Sequence, residues 1–529
     1  MSEVMDSATH ALGKKQNRAP RSQKFVASFL RGSLTVIAIA AQIALFIMLV
    51  TVGVRAVRWV AVLSVAASVV ALIFILNSKM QLEYKLAWSI VILLLPFAGG
   101  VFYLLFGSRT GTRRQVAKYN EIQAAARQNQ LSAPKAITDG KCHVEPRAEA
   151  QLTYLEKAGP FFAYSDTETT YYPLGDEAFP AMMEAIENAK NWIGLEYFIV
   201  AKGKMLTQLV QALKRKVDEG VKVYFLYDDL GSIFKVPFGF LADLREAGIQ
   251  AQPVNRFGPG LTLRYNNRDH RKFLIVDGDI AFTGGINIGD EYINEIERFG
   301  HWRDTVIRLK GPGAWGAVTL FFTIWDLVTG QATDLATLRP ELEHESHPGI
   351  VLNFDDTPFD DVSIGWAAYR NVISKAERYV YITTPYLVPS AEQLDVLTSA
   401  ALSGVRVCIM TPGIPDKRAV WEVTRSNYLR LLEAGVEIYE YSPGFLHAKQ
   451  IVSDDRYAII GTINFDFRSF YLHQENGVWM CDTPVVGEMV EDFENLLSKC
   501  HKIELAQVRN IHPLRRLLRV MLRTFSPML

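Results

Sequence analysis

Hydrophobic positions form three long runs near the start of the chain, with shorter alternating patterns after them. The runs cover residues 33–54, 58–76 and 87–107. Each is close to the ~20 residues that a helix needs to cross a bilayer. The pattern therefore predicts N-terminal transmembrane helices, with buried core helices as the alternative. Pro96 and Gly99 lie near the middle of the third run and predict a bend there.

Basic side chains flank this membrane region, residues 33–107, on both sides. The tail of residues 1–32 has six lysine or arginine residues between positions 14 and 31, and a second basic cluster lies between Arg109 and Lys118. Each cluster favours the cytoplasmic side, but three full crossings would separate them. Either one run does not cross fully or one cluster is exported. We expect a multi-pass protein of the cell membrane, with the cytoplasmic side favoured for the domain that follows.

Residues 108–150 are polar and predict a juxtamembrane linker. After it, the spacing of apolar residues alternates between helical and strand periods. The segment "EGVKVYFLY" (219–227) is matched later by "SGVRVCIMT" (403–411), and a helical pattern precedes both. This repeat predicts two α/β domains, residues 151–335 and 336–501.

Composition narrows the possible partners. The 529 residues carry 56 basic and 56 acidic side chains, which lacks the basic excess of nucleic-acid-binding domains. We therefore expect no nucleic-acid partner. The cysteines have no CxxC spacing, which argues against a zinc site and against a disulfide framework. They are Cys142, Cys408, Cys481 and Cys500.

Each copy carries the same five residue types at the same spacing. The first copy has His270, Lys272, Asp277, Gly284 and Asn287, and the second has His447, Lys449, Asp454, Gly461 and Asn464. The offsets from the histidine are 2, 7, 14 and 17 residues in both. Residues two apart on a strand face the same side, so each histidine and its lysine are expected to project together. The returning strand is expected to bring each asparagine back beside them.

Two facing copies would assemble the groups that cleavage of a phosphodiester needs. One histidine would attack phosphorus and the other would protonate the leaving oxygen. The lysines and asparagines would stabilise charge on the phosphoryl oxygens. No carboxylate cluster with metal-ligand spacing accompanies the motif, so we expect neither a metal nor another cofactor.

The duplicated HxKx4Dx6GxxN spacing resembles the phospholipase D superfamily. The segments "FTGGINIGDEY", "HWRDTVIRLKGPG" and "GTINFDFRSFYLHQEN" are similar to motifs of bacterial cardiolipin synthases. The resemblance covers about residue 30 to nearly the C-terminus. It implies two phospholipase D-like α/β domains related by a pseudo-twofold axis. It also implies transfer of a phosphatidyl group between two phosphatidylglycerol molecules, giving cardiolipin and glycerol.

The resemblance also implies roles for the motif residues. His270 would form a phosphatidyl-histidine while His447 protonates the departing glycerol, although the near-equivalent motifs leave the reverse assignment open. Catalytic roles are expected for Lys272 and Lys449. Asp277 and Asp454 are placed in the same set, with a turn-scaffold role as the alternative. Substrate contacts are expected from Asn287, Asn464, Gly285 and Thr462; the last two replace the superfamily's usual serine.

Acidic residues near the two motifs are candidates for orienting the histidines. Glu291 and Glu475 follow the two asparagine turns and are counted with the substrate-binding residues. Either could hold a histidine through its second ring nitrogen, with a surface role as the alternative. Trp302, Arg303 and Asp304 are expected to support the site structurally.

The C-terminal segment, residues 502–529, predicts a basic amphipathic helix. Its apolar face would carry Leu514, Leu517, Leu518, Met521, Leu522 and Phe525, and another face Arg515, Arg519 and Arg523. This pattern is typical of an interfacial helix on anionic lipid, with docking onto the domain as the alternative.

The expected partners are phosphatidylglycerol, anionic membrane lipids and the bilayer. Rival functions are a phospholipase D-type hydrolase, a phosphatidylserine synthase and a lipid-binding membrane protein without activity.

Overall fold

The computed structural model divides the chain into two compact units. It describes residues 54–96, 98–107, 113–131, 145–256, 267–340, 345–360 and 362–528, together with isolated positions between 37 and 44. The first predicted hydrophobic run, 33–54, therefore lies almost wholly outside the described residues.

The smaller unit contains the described residues of the hydrophobic N-terminal region except residues 79–87, which belong to the larger unit. The first helix whose bounds are described is Val54–Asn77, and the third hydrophobic run is divided between helices Leu82–Leu94 and Ala98–Phe106. The break coincides with Pro96, whose carbonyl accepts a hydrogen bond from the Ser68 hydroxyl at 3.1 Å. Among the residues described, no helix has both the length and the hydropathy of a membrane-crossing segment.

The larger unit is a mixed α/β fold built on two sheets. Its strands are β1 Ala163–Tyr164, β2 Glu168–Tyr172, β3 Trp192–Tyr197, β4 Lys222–Asp228, β5 Gln250–Val254, β6 Lys272–Val276, β7 Ile280–Gly284, β8 Val306–Lys310, β9 Ile350–Asp356, β10 Tyr379–Thr383, β11 Arg406–Pro412, β12 Glu437–Tyr441, β13 Gln450–Ser453, β14 Tyr457–Gly461, β15 Glu475–Cys481 and β16 Cys500–Lys502.

The two sheets repeat one strand order. The first is β2-β8-β7-β6-β3-β4-β5 and the second is β1-β9-β15-β14-β13-β10-β11-β12-β16. Without its outer strands β1 and β16, the second sheet has the same sequence of neighbours as the first. The strand directions also agree. β3 is parallel to β4 and antiparallel to β6, which begins at Lys272. β10 is parallel to β11 and antiparallel to β13, which begins just after Lys449.

Helices cover both sheets. The first copy has Gly175–Glu187, Lys204–Asp218, Phe240–Glu246 and Ala314–Thr329; the second has Ile364–Lys375, Ala391–Leu402, Arg418–Glu433 and Val485–Leu497. Helices outside these copies are Arg113–Leu131, Pro146–Ala158, Leu505–Arg509 and Pro513–Thr524, and short ones are Asp229–Ser232 and Phe467–Tyr471. Local sequence explains their starts: Ser390 and Gln393, for example, form a reciprocal capping box before helix Ala391–Leu402.

A buried arginine joins the two sheets. The guanidinium of Arg271 is inaccessible to solvent and donates to the Glu196 carboxylate at 2.5 and 3.1 Å. It also lies 3.6 Å from Asp355, on β9 of the other sheet. The hydroxyl of Tyr119, in helix Arg113–Leu131, donates to the same Asp355 at 3.1 Å. One cation thus neutralises carboxylates from both halves of the fold.

We expect Arg271→Met to destabilise the larger unit by about 3–5 kcal/mol, because it leaves buried carboxylates without their cation. Thermal unfolding of the purified protein measures the change. Arg378→Met removes an exposed partner of Asp455 and is the matched control, with little effect on thermal unfolding because exposed ion pairs contribute little to stability. Equal effects of the two substitutions would contradict a central role for Arg271.

Candidate active site

The two histidine motifs lie at corresponding places in the two sheets. Lys272 pairs with Tyr197 at the carboxyl end of β3, and Gln450, next to Lys449, pairs with Thr383 at the carboxyl end of β10. Each motif therefore sits where a parallel strand ends, the usual position of α/β active sites. Both histidines are 7% exposed, so each ring is largely enclosed but still reachable.

Backbone hydrogen bonds cross between the copies at both motifs. The amide of His270 donates to the carbonyl of Gln474 at 2.9 Å, and the amide of His447 donates to the carbonyl of Arg303 at 2.7 Å. Each motif histidine is thus joined to the opposite copy by a backbone hydrogen bond. Such a bond, here called a bridge, runs in each direction between the copies, so the two bridges are reciprocal.

Side-chain contacts between the copies also orient the two histidine rings. His270 Nδ1 lies 2.8 Å from Glu475 Oε2, and His447 Nδ1 lies 2.5 Å from Asp304 Oδ2. A carboxylate that accepts from Nδ1–H leaves Nε2 with a free lone pair. Each half-site therefore takes its histidine from one copy and its carboxylate from the other.

Sheet register shows that the two carboxylates are equivalent. Gly284 pairs with Val306, and Gly461 pairs with Gly477, so Asp304 and Glu475 each stand two residues before the partner of the motif glycine. The prediction that Glu475 orients a histidine agrees with this geometry. Glu291 does not take the corresponding place, because it accepts from Arg298 at 3.2 Å. The residue expected only to support the site, Asp304, orients His447 instead.

Both motif lysines are buried and turned back on their own histidines. Lys272 Nζ donates to the carbonyl of His270 at 2.5 Å, and Lys449 Nζ donates to the carbonyl of His447. Burial lowers the pKa of Lys272 to about 7 and that of Lys449 to about 8, despite the attraction of Glu475 and Asp304. Burial also lowers the pKa of both histidines, which keeps the rings neutral and nucleophilic at neutral pH.

The residues after the motif glycines make the half-sites unequal. Thr462 donates its hydroxyl to Glu475 Oε2 at 2.6 Å, on the same oxygen that faces His270. Gly285 has no side chain, and a Cβ there would stand 1.8 Å from Asp304 Oδ1. The glycine therefore makes room for the carboxylate, whereas the threonine binds it.

The aspartates of the motif lie at the other end of their strands. Asp277 accepts from the amides of Lys190, Asn191 and Trp192 at 2.6–2.8 Å. Asp454 accepts from the amides of residues 377–379 at 2.8–3.0 Å. At ~3.3 Å per residue, seven residues place each aspartate roughly 20 Å from its histidine. The turn-scaffold alternative accounts for these contacts, and the predicted catalytic role does not.

The motif asparagines also differ from expectation. Asn287 accepts from the amide of Ile199 and donates to the hydroxyl of Tyr292, both at 2.9 Å, so its amide holds the loop rather than pointing at a ligand. Asn464 is buried, and its side-chain oxygen has no hydrogen-bond partner among the described residues.

A third histidine stands beside the first half-site and was not singled out from the sequence. His473 Nδ1 lies 3.5 Å from Glu475 Oε1, and its ring centroid is 5.7 Å from that of His270. Trp302 occupies the equivalent position beside His447, at 5.3 Å. The sequence signal that could have identified His473 is its position two residues before Glu475, the carboxylate that faces His270. His270, His473 and Glu475 have ligand atoms within 4.8 Å of one another, so these three side chains could hold a metal ion.

Comparison with known proteins agrees with this site. Residues 182–297 and 369–497 match the family model described as "Cardiolipin synthase, PLD-like domain", and residues 66–108 match a phospholipase D-nuclease N-terminal model. Cardiolipin synthase 2 of Bacillus anthracis is 34% identical over 450 residues, 84% of this chain and 86% of that protein. Cardiolipin synthase of Geobacillus thermodenitrificans is 34% identical over 471 residues, 88% and 93%. This chain belongs to the cardiolipin synthase family.

The solved structures support the fold. Phosphatidylserine synthase of Haemophilus influenzae aligns with a TM-score of 0.54 at 16% identity, covering 72% of this chain and 97% of that one. As a cardiolipin synthase of the phospholipase D superfamily, the chain is a phospholipid-modifying enzyme.

We expect Gly285→Ala to lower the activity of this cardiolipin synthase by roughly 100-fold, because the new Cβ displaces Asp304 and with it the His447 ring. Thr462→Ser keeps the hydroxyl that binds Glu475 and is the matched control, with near-parental turnover. Steady-state turnover on phosphatidylglycerol measures both. Parental turnover in Gly285→Ala would show that the position of Asp304 is not critical.

Proposed function

We propose that the protein transfers a phosphatidyl group from one phosphatidylglycerol to another, through an intermediate on a histidine of the two-copy site. The observation that carries the proposal is the crossed pair of histidine–carboxylate contacts. It leaves two Nε2 atoms free, one for each side of a phosphodiester. Such a site suits double displacement at phosphorus.

In the first step His270 Nε2 donates its lone pair to phosphorus. The bond between phosphorus and the headgroup glycerol oxygen breaks, and His447 gives a proton to that oxygen. The anionic phosphodiester raises the pKa of His447 relative to the empty site, because nearby negative charge favours imidazolium. Glu475 accepts from Nδ1–H of His270 and stabilises the positive charge that forms on the phosphorylated ring.

In the second step the hydroxyl of an incoming phosphatidylglycerol headgroup loses its proton to His447. Its oxygen attacks phosphorus, and the N–P bond to His270 breaks. The products are cardiolipin and glycerol, and both histidines return to their starting states. Lys272 and Lys449 are the cations available to hold the non-bridging phosphoryl oxygens throughout.

The choice of His270 as nucleophile is supported by its half-site. Glu475 is held by the Thr462 hydroxyl as well as by His270, so the carboxylate position is set independently of the substrate. The His447 half-site lacks that hydroxyl. A hydrolase would use the same groups with water as the acceptor; the family relationship favours the transferase.

We further propose a multi-pass cell-membrane protein whose domains are bounded at 151–335 and 336–501 and related by a pseudo-twofold axis. Large apolar side chains of helix Val54–Asn77, such as Trp59, Leu63 and Phe74, are exposed, as expected for contact with lipid. The repeated strand order and the reciprocal bridges support the symmetry.

Purified protein supplied with phosphatidylglycerol alone is expected to yield cardiolipin and glycerol in equal amounts. His270→Ala and His447→Ala should each lower turnover by about 10²–10⁴-fold. A rapid denaturing quench at neutral pH, which preserves the acid-labile N–P bond, followed by peptide mapping, is expected to locate the phosphatidyl adduct on His270. His447→Ala should slow both the formation and the breakdown of this adduct, since the same ring protonates the leaving glycerol and deprotonates the acceptor. An adduct on His447 would reverse the roles, and phosphatidic acid as the sole product would mean hydrolysis.

The pH dependence of kcat/KM is expected to have its alkaline limb near pH 7–8. The ammonium forms of Lys272 and Lys449 bind phosphate, and their lowered pKa values mean that this charge is lost as pH rises through that range. Lys272→Arg keeps its charge at high pH, so it should move the limb upward at some cost in turnover. An unchanged limb in both Lys272→Arg and Lys449→Arg would assign it to another group.

A further inference from the structure

The C-terminal helix Pro513–Thr524 turns its charged face toward helix Arg418–Glu433 of the second copy. Arg515 Nη2 donates to Glu422 Oε1 at 2.6 Å, and Arg519 Nε donates to Glu422 Oε2 at 2.8 Å. Arg519 is buried. These contacts lower the pKa of Glu422 against the opposing effect of its partial burial. Two of the three arginines of the predicted basic face are therefore engaged by the protein.

The apolar face of this helix is turned outward. Successive residues are about 100° apart around a helix, so Leu517 and Met521 lie nearly opposite Arg519. Five apolar side chains of this face are between 48% and 71% exposed: Leu514, Leu517, Leu518, Val520 and Met521. A helix that docks on a soluble domain normally buries such a face. A contiguous exposed apolar surface is typical of an interaction site.

Both ends of the helix are attached at the active-site end of the second sheet. Glu422 lies in the early part of helix Arg418–Glu433, which follows the carboxyl end of β11. The carbonyl of Met528 accepts from Arg468 Nη2 at 3.0 Å. Arg468 lies in the short helix after β14, whose end pairs with the start of β13 beside Lys449.

A second segment with exposed apolar side chains is attached at this same end of the catalytic unit. The Glu83 carboxylate accepts from the amide of Ala391 at 2.9 Å, just after β10, and Tyr84 stacks on Phe467 with centroids 5.7 Å apart. Leu82 and Leu86, in the same segment, are exposed.

We propose that the outward face of helix Pro513–Thr524 lies in the headgroup region of an anionic phospholipid leaflet and holds the mouth of the active site against it. Exposed Arg516 borders the apolar face and matches the negative charge of such a leaflet. Arg515 and Arg519, whose charges would oppose insertion, are paired with Glu422 rather than turned toward the leaflet. Only the kinetic consequence rests on the proposed function, since the contact itself needs no turnover.

The contact is tested with spin labels on the full chain in liposomes of phosphatidylglycerol and phosphatidylcholine. Labels at Leu517→Cys and Met521→Cys should relax faster with oxygen than with a water-soluble nickel chelate. Leu402→Cys is the matched control, because Leu402 is exposed but ends its helix at the opposite end of the sheet, near the start of β11. The parent protein gives the background from its own cysteines.

Two results with these labels would overturn the proposal. Labels at Leu517→Cys that behave like those at Leu402→Cys would show that water covers the face. Dipolar broadening between labels on two chains would show that a second copy covers it instead.

Turnover provides the second readout. Leu517→Glu combined with Met521→Glu should lower turnover on phosphatidylglycerol bilayers about tenfold, because charge on this face disfavours insertion. Turnover of short-chain phosphatidylglycerol below its micelle concentration should stay parental, as should both activities of Leu402→Glu. Equal losses on both substrates would contradict the membrane role. Absence of cardiolipin from the parent would contradict the proposed function alone and leave the spin-label result standing.

Discussion

The active site depends on one exchange of contacts, in which each histidine is held by a carboxylate from the opposite copy. A buried imidazole needs a partner for Nδ1–H, and a buried carboxylate needs donors to remain charged. His270 with Glu475 and His447 with Asp304 satisfy both needs at once. The requirement fixes how the two sheets meet, and the backbone bridges at Gln474 and Arg303 are its main-chain counterpart. Arg271, one residue from His270, adds a buried cation shared between the same two halves.

The repeated pattern in the sequence predicted the duplicated fold and the two histidine–lysine pairs, because a strand's two-residue period places each pair on one face. Of the two orienting carboxylates it indicated only Glu475. Glu475 was a candidate because it lies close to Asn464 in the sequence. The equivalent carboxylate of the other half-site, Asp304, lies farther along the chain from Asn287, because the segment between β7 and β8 is longer than that between β14 and β15. Only strand register reveals that equivalence. The motif aspartates make the contacts expected of the turn-scaffold alternative, and seven residues of extended strand separate each from its histidine.

The two half-sites have diverged within a common geometry. Thr462 and His473 surround Glu475, whereas Gly285 and Trp302 surround Asp304. One carboxylate is held by a hydroxyl and has an imidazole beside it, and the other is enclosed by an aromatic ring and a bare backbone. A symmetric site would make the two histidines interchangeable. These substitutions give them different surroundings, as two chemically different roles require.

The exchange of carboxylates also has a consequence for protein synthesis. A ribosome releases the chain from its N-terminus, so His270 and Lys272 emerge about two hundred residues before Glu475. Until then the first histidine has no orienting base and the second does not exist. A chain that ends before β15 therefore lacks the carboxylate that faces its first histidine. The first half-site is complete only when β15 pairs with β9 and β14.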